Sequence, residues 1–261
     1  FDCELTSQIP IRAGTSSSSA INVSWIHYLS RMADEPADWN QQKIGELTYI
    51  AEVKEFNEPG GMMDQYSTAM GYLIYLESKP KISIQSLNPN LGTFVLGDSC
   101  EPKDTMGILT RCRDARLTIL DKLKKQNTSF SLYTSISDFN LNELTEEEKT
   151  LFHGTIQNRD FLKCALLELE KTEQNHKKIG KLLSDHHAVL RDVLNVSTLK
   201  IEVMLEAAMD AGALGGKING SGGGGGMVAY VPENPQQIAE AIQKAGGKAY
   251  IIYPDEGTRI D

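Results

Sequence analysis

Cysteine, net positive charge and long apolar runs are all scarce in this chain, and each shortage removes a class of protein. The four cysteines, Cys3, Cys100, Cys112 and Cys164, lie far apart among 261 residues and form no CxxC pair. That excludes a disulfide framework and a paired-cysteine zinc site, and it fits a reducing, cytoplasmic setting. Lys and Arg number 26 against 35 Asp and Glu, for a formal net charge of −9. A nucleic-acid binder presents a basic face to phosphates, so that class is set aside. A nucleotide site is not, because backbone amides and a metal can hold phosphates without a basic surface. No apolar run approaches the roughly 20 residues of a membrane-spanning helix, so no membrane partner is expected. The first residues, Phe-Asp-Cys-Glu-Leu-Thr, lack an initiator Met, a basic n-region and an apolar h-region. They read as a chain entered in mid-fold, not as a signal peptide, and the sequons at Asn22, Asn127 and Asn195 are accordingly taken as chance. The Walker pattern, GxxxxGK followed by Ser or Thr, is also absent, so this is no ordinary P-loop ATPase.

What is present is ordinary globular material, 40% hydrophobic and 23% charged, long enough for one large or two modest domains. A small-residue loop over 9–20 leads into a helix with apolar positions Ile21, Val23, Trp25, Ile26, Leu29 and Met32. Pro36 breaks that helix, and a second helical pattern runs from Gln41 to Phe56. A turn-rich stretch then opens a short helix from Asp64. Strands are predicted over 72–76, 81–87 and 93–96, and helix over 104–125, 156–184 and 198–211. Residues 127–150 read as a loop and the start of a helix. The end predicts strand (216–219), glycine loop (220–226), strand (227–231), helix (235–245) and strand (248–253).

A loop of small residues feeding a helix is what nucleotide phosphates need. Backbone amides close around the phosphate oxygens, and the N–H groups and dipole of the helix add attraction. Serine hydroxyls contribute donors and can ligate Mg²⁺. A serine-rich helix cap has the same composition and remains the alternative if the loop stands alone. Pro10-Ile-Arg-Ala-Gly14-Thr-Ser16-Ser17-Ser18 resembles the Pro-x-Gly-x-Gly-Leu-Ser-Ser-Ser phosphate loop of the GHMP kinases, the group that includes galactokinase, homoserine kinase and mevalonate kinase. Arg12 stands for a usual Gly and Thr15 for a usual Leu; Arg12 either reaches a phosphate or faces solvent.

Two carboxylates drawn from 35 acidic residues are ordinarily just surface charge. Glu52 and Asp64 are singled out by context: Ala51-Glu52, then Pro59-x-Gly61-x-Met63-Asp64-Gln65, resembles the galactokinase segment carrying a Mg²⁺-binding glutamate and a catalytic aspartate, at the same spacing of twelve. The resemblance implies Asp64 as base, Glu52 and Ser18 as metal ligands, and Gly61 with Asp64 as substrate contacts. It implies ATP and Mg²⁺ as cofactors, with Pro10, Ala13, Gly14, Thr15, Ser16, Ser17, Ser18 and Ser19 around the phosphates.

Near the other end, Gly215-Gly-Lys-Ile-Asn-Gly220-Ser-Gly222-Gly223-Gly-Gly-Gly226 allows positive φ and close backbone approach, though a flexible tether has the same composition. Its approach, His187-x-x-Leu190-Arg191-Asp192, Val196-Ser197 and Gly212-Ala-Leu-Gly215, resembles that of the galactokinase third motif, which implies Gly220, Gly222 and Gly223 as further nucleotide contacts. The sequence departs from it in Lys217-Ile-Asn-Gly-Ser and in Met227, where a Cys is frequent. His153–Arg159 resembles a galactokinase helix and is read as architectural. His186 and His187 are adjacent, so on a helix they point apart, and surface or capping roles are expected of them.

The resemblance covers residues 9 to about 253. It implies an α+β, two-lobed GHMP kinase fold, with residues 1–90 as the remainder of the N-terminal lobe and 91–261 as the C-terminal lobe. The implied reaction is transfer of the ATP γ-phosphoryl group to the anomeric hydroxyl of galactose or a related sugar, a small-molecule partner. The alternatives are a catalytically silent sugar and ATP sensor that binds a regulatory protein, and a mevalonate-type kinase acting on a non-sugar alcohol. Asp64, Glu52 and the loop serines are all retained, against the sensor. The family's first motif, Gly-Arg-x-Asn-x-x-Gly-Glu-His-Thr-Asp, is expected to lie before this chain, so that part of the N-terminal lobe is expected to be missing. A sugar-contacting tyrosine expected near 104–111 is not evident.

Overall fold

In the computed structural model, which describes residues 2–11, 13–58, 60–102, 105–128, 130–133 and 140–260, the chain opens with three packed helices. These are α1 (Ser17–Met32), α2 (Gln41–Tyr49) and α3 (Met63–Met70). Val23, Ile44 and Ala69 form their shared core. At Gly45 an added Cβ would lie 3.2 Å from the Tyr66 Cα, so α2 and α3 come nearly backbone to backbone. The inward face of α1 is not the apolar stripe expected of it: Ser19, Val23, His27 and Ser30 are buried, while Ile21, Leu29 and Met32 are exposed. The buried polar groups have partners, which offsets the cost of taking them from water. His27 Nδ1 lies 2.9 Å from Thr258 Oγ1, and Ser19 bonds Glu52.

An antiparallel hairpin follows, β1 (Leu73–Glu77) with β2 (Ser83–Leu87). β3 (Phe94–Asp98) then enters a four-stranded antiparallel sheet with strands from the far end of the chain, β4 (Gly215–Ile218), β5 (Gly226–Tyr230) and β6 (Lys248–Ile252), in the order β4-β5-β3-β6. α7 (Leu199–Asp210) and α8 (Pro235–Lys244) contact this sheet and bury Ile201, Met204, Ile218, Met227, Ala229 and Ile242. Between β3 and β4 lie α4 (Thr105–Gln126), α5 (Glu146–Leu169) and α6 (His176–Asp192).

The helix predicted over 156–184 is two helices. α5 starts earlier, at a capping box in which Thr145 and Glu148 satisfy each other's backbone N–H. It ends at Leu169, where Glu168 turns the chain by accepting from Asn175 N–H at 2.9 Å and pairing with Lys171 and Lys178. Apolar periodicity runs through that turn and so did not mark it. The last described segment returns to the first helices: Tyr72 N–H donates to Asp255 O at 2.6 Å and Thr258 N–H to Ala69 O at 3.0 Å. The mixed helix and sheet architecture is the α+β fold expected.

Candidate active site

Ahead of α1, Pro10, Ile11 and residues 13–16 lie outside any helix or strand. Thr15 Oγ1 donates to the Pro10 carbonyl at 2.8 Å, joining the loop's two ends. Gly14 and Ser16 are both left-handed, with φ of 76° and 53°. Ser16 caps α1 without a side-chain bond, and the first turn holds no acid. The first intrahelical bond runs from Ala20 N–H to Ser16 O at 2.9 Å. The N–H groups before it have no intrahelical partner, and the helix end favours an anion there. Arg12 and Pro59 lie outside the described residues.

α2 continues beyond Tyr49 as one π-helical turn, Ile50–Lys54, with Glu55 N–H bonded to Ile50 O at 3.0 Å. Glu52 sits in this wider turn, a feature that recurs at functional sites. Its carboxylate reaches across to α1 and α3. Ser18 Oγ donates to Oε1 at 2.6 Å, and Ser19 Oγ donates to Oε2 at 2.8 Å. Gln65 Nε2 donates to the same Oε2 at 2.7 Å and to Ser19 Oγ at 3.2 Å. The sequence pairing of Ser18 with Glu52 is thus met in space, 34 residues apart in the chain.

These oxygens fit a small hard cation. Ser18 Oγ and Glu52 Oε1 are 2.6 Å apart on the exposed side of the cluster, close enough to share one ion. Mg²⁺ takes oxygen ligands, commonly one or two from carboxylates, and fills its other positions with water and substrate phosphate. Gln65 Oε1 and Ser221 Oγ are buried with no hydrogen-bond partner. Arg116 Nε and Asn158 Oδ1, away from this site, are unpaired in the same way, and atoms of this kind are ordinarily met by water or a ligand.

Asp64 is exposed, in the first turn of α3 and next in sequence to the Gln65 that holds Glu52. Its side chain is free of the Glu52 network, as a base that must meet a substrate would be. Gly61, two residues before α3, faces open space: an added Cβ there meets nothing within 4 Å.

The C-terminal glycine loop comes back against the first loop. Asn219 Nδ2 donates to Gly14 O at 2.8 Å. A Cβ added to Gly226 would stand 2.4 Å from the Ala13 carbonyl oxygen, so only glycine allows that approach. Gly220 is exposed beside Asn219 and adjoins the first loop. Gly222 and Gly223 instead pack against Val196 and Ile108, and the Gly223 N–H is bonded to Val196 O at 2.6 Å. The structure therefore brings Gly220 to the candidate phosphate site and turns Gly222 and Gly223 toward the protein. Gln65 and Asn219 are the two site residues to which no role was assigned from sequence. Both stood inside quoted motifs, one as the residue after the candidate base and the other as a departure from the family pattern.

His187 is not the surface or capping residue expected, while His186 beside it is half-buried. His187 is 5% exposed, with Nε2 2.9 Å from Glu202 Oε1 and Nδ1 accepting from Ile218 N–H at 3.2 Å. Burial lowers its pKa, against the attraction of Glu202. Burial brings the half-buried His186 down to about 4, with the Lys217 ammonium adding to the effect. Lys217 itself is brought by burial down to about 8.

Comparison with known proteins gives the family. A family model described as GHMP kinases N terminal domain matches residues 1–72, and one described as GHMP kinases C terminal matches residues 165–248. Mevalonate kinase of Thermococcus gammatolerans is 29% identical over 258 residues, covering 98% of this chain and 68% of its own length. Galactokinase of Pyrococcus furiosus is 22% identical over 280 residues, covering 98% of this chain and 74% of its own length. The crystal structure of Lactococcus lactis galactokinase complexed with galactose superposes with a TM-score of 0.75 at 20% identity, covering 97% of this chain and 68% of that one. The family's N-terminal domain is thus represented in residues 1–72, and the chain spans 68% of the length of the mevalonate kinase it matches. With both of the family's domains matched and its fold shared, the chain belongs to the GHMP kinases and is a phosphotransferase.

Proposed function

We propose that this chain transfers the γ-phosphoryl group of ATP to a hydroxyl of a small polyhydroxylated acceptor, a sugar of the galactose type. The observation that carries the reading is the Glu52 carboxylate, held by Ser18, Ser19 and Gln65 with Asp64 next in line. The 10–16 loop and the open first turn of α1 cradle the phosphates. Glu52 and Ser18 would hold Mg²⁺, which neutralises phosphate charge when bound. Asp64 takes the proton of the acceptor hydroxyl or orients it. The division into lobes over 1–90 and 91–261 belongs to the same reading, with the acceptor between them.

A second reading, mevalonate as acceptor, is favoured by the 29% identity to a mevalonate kinase over 98% of this chain. The Met63-Asp64-Gln65 segment, which resembles galactokinase, favours the sugar.

The test follows ADP release from Mg-ATP with a panel of hexoses and with mevalonate, alongside Asp64→Asn. Turnover with a sugar, reduced by about 10²–10⁴ in Asp64→Asn while Mg-ATP still binds, is the expected result. Turnover with mevalonate alone moves the assignment to the second reading. No ADP release on any acceptor, with Mg-ATP binding intact, overturns both and favours a sensing role.

A further inference from the structure

β4 is an edge strand, and the free edge ends one residue before Asn219, which holds the phosphate loop. An edge strand leaves backbone donors and acceptors unpaired. Here α6 covers them along one of its faces, through residues 180, 184 and 187. A Cβ at Gly180 would lie 2.2 Å from the Leu214 carbonyl oxygen, so helix and strand touch backbone to backbone. Ser184 Oγ accepts from Gly216 N–H at 3.3 Å, and His187 Nδ1 accepts from Ile218 N–H at 3.2 Å. Lys217 Nζ donates to Ile218 O at 2.7 Å, so both backbone groups of Ile218 are bound by side chains.

The bond from Ile218 requires that Nδ1 carry no proton. Nε2 then carries the ring proton and donates it to Glu202. Glu202 also accepts from Ser197 Oγ, and the neighbouring Val196 carbonyl is the one that holds Gly223. One carboxylate thus connects two attachment points of the glycine loop. Between Ile218 and Met227 the loop has no apolar side chain of its own, and Gly220 and Gly222 to Gly225 all have positive φ. Such a segment is costly to order and depends on its anchors.

We propose that His187, with Glu202, is a positioning residue for nucleotide binding: it fixes Ile218 at the end of β4, and so sets Asn219 against Gly14 of the phosphate loop. The consequence for nucleotide rests on the phosphate-loop reading above; the anchoring does not. Protonating Nδ1 sets two N–H groups face to face and breaks the bond to Ile218, so the anchor is lost in acid. The titratable and charged groups around the imidazole are the neutral His186, with Arg191 and Asp192, from α6, Glu202 from α7 and Lys217 from β4. Glu202 favours the proton, and Arg191 and Lys217 oppose it.

The test uses the full chain and two readouts: amide exchange of residues 214–226 without ligand, and the Kd of Mg-ATP. Asn can replace Nδ1 as acceptor, Gln can replace Nε2 as donor, and Phe can do neither. His187→Phe and His187→Gln are expected to raise exchange and Kd about tenfold, while His187→Asn stays within about threefold. Lowering the pH below the ordinary histidine range raises wild-type Kd, leaves His187→Asn flat, and acts at lower pH still in Glu202→Gln, whose Oε1 keeps the bonds from His187 and Ser197 without the charge. Equal loss in Asn and Phe variants overturns the proposal in favour of simple packing, as does unchanged exchange in His187→Phe. Exchange that responds while Kd does not overturns the coupling to nucleotide. Failure of wild type to bind Mg-ATP sinks the phosphate-loop reading, and exchange alone then decides the anchoring.

Discussion

Gln65 Nε2 lies 2.7 Å from Glu52 Oε2, so the residue that follows the candidate base in sequence is a donor to the candidate metal ligand in space. The bond ties the first turn of α3 to the π-helical turn after α2. A shift of either element therefore moves base and metal ligand together. It also occupies Oε2 and leaves Oε1, on the Ser18 side, to face an incoming ion.

Outer partners of a metal ligand typically change metal affinity by 10–100-fold. Gln65→Met keeps the volume and removes both donors. The Mg²⁺ concentration for half-maximal activity should rise by about tenfold or more, with kcat at saturating Mg²⁺ changed by less than about threefold. A Mg²⁺ titration of ADP release checks it, and an unshifted midpoint would remove Gln65 from the site.

Ser18 and Ser19 are adjacent and bond the same carboxylate, yet their removal should read differently. Ser19 is 3% exposed and also accepts from Gln65, so Ser19→Ala should cost about 1–2 kcal/mol of stability. Ser18 is exposed, and Ser18→Ala should stay within about 0.5 kcal/mol in stability while raising the Mg²⁺ concentration needed for half-maximal activity. Denaturant midpoints separate the two.

Gly226→Ala places a methyl group 2.4 Å from the Ala13 carbonyl oxygen and 2.9 Å from that of Gly97. Neither backbone can yield freely, because Gly97 lies in β3 between two strands. A loss of about 1–3 kcal/mol and weaker Mg-ATP binding are expected, measured by unfolding and calorimetry. Retained nucleotide affinity would mean that the two loops need not touch.

Three histidines make the fold acid-labile in a defined window. Burial lowers His27, with Arg31 adding to it, and burial likewise lowers His186 to about 4 and His187. Below the ordinary value of 6.5 the unfolded chain binds protons that the folded chain refuses, so stability falls as pH drops from there toward about 4. Glu168, held down to about 2 by Lys171, by the Asn175 amide and by Lys178, adds a contribution that is lost from about 4.5 downward. Thermal unfolding across this range should show Tm declining from near-neutral pH. A Tm flat to pH 5 would contradict the buried, neutral histidines.

Much of the fold was legible because local rules carried it. The strand, glycine loop, strand, helix and strand at the end follow from alternation and turn residues, and they stand where expected as β4, β5, α8 and β6. The buried face of α1 was not legible: hydrophobicity pointed to Ile21, Leu29 and Met32, while Glu52 and Thr258 supply partners that bury Ser19 and His27. The break between α5 and α6 was hidden for a similar reason. It is made by Glu168 reaching Asn175 and two lysines, not by a Gly or Pro.

By itself the sequence determined the chemistry on offer: serines before a helix, a carboxylate and an aspartate twelve residues apart, and a glycine loop between strands. These are matters of residue type and short spacing, and they are readable because backbone geometry over a few residues is nearly local. Tertiary structure alone decided which of these groups meet. Ser18 and Glu52 are separated by 34 residues, Asn219 and Gly14 by 205, and His27 and Thr258 by 231. Contacts over such distances arise from how helices and strands pack, and packing depends on the shapes of all the buried side chains at once. The same packing made His187 a buried anchor of β4, where adjacency on a helix had suggested a surface residue.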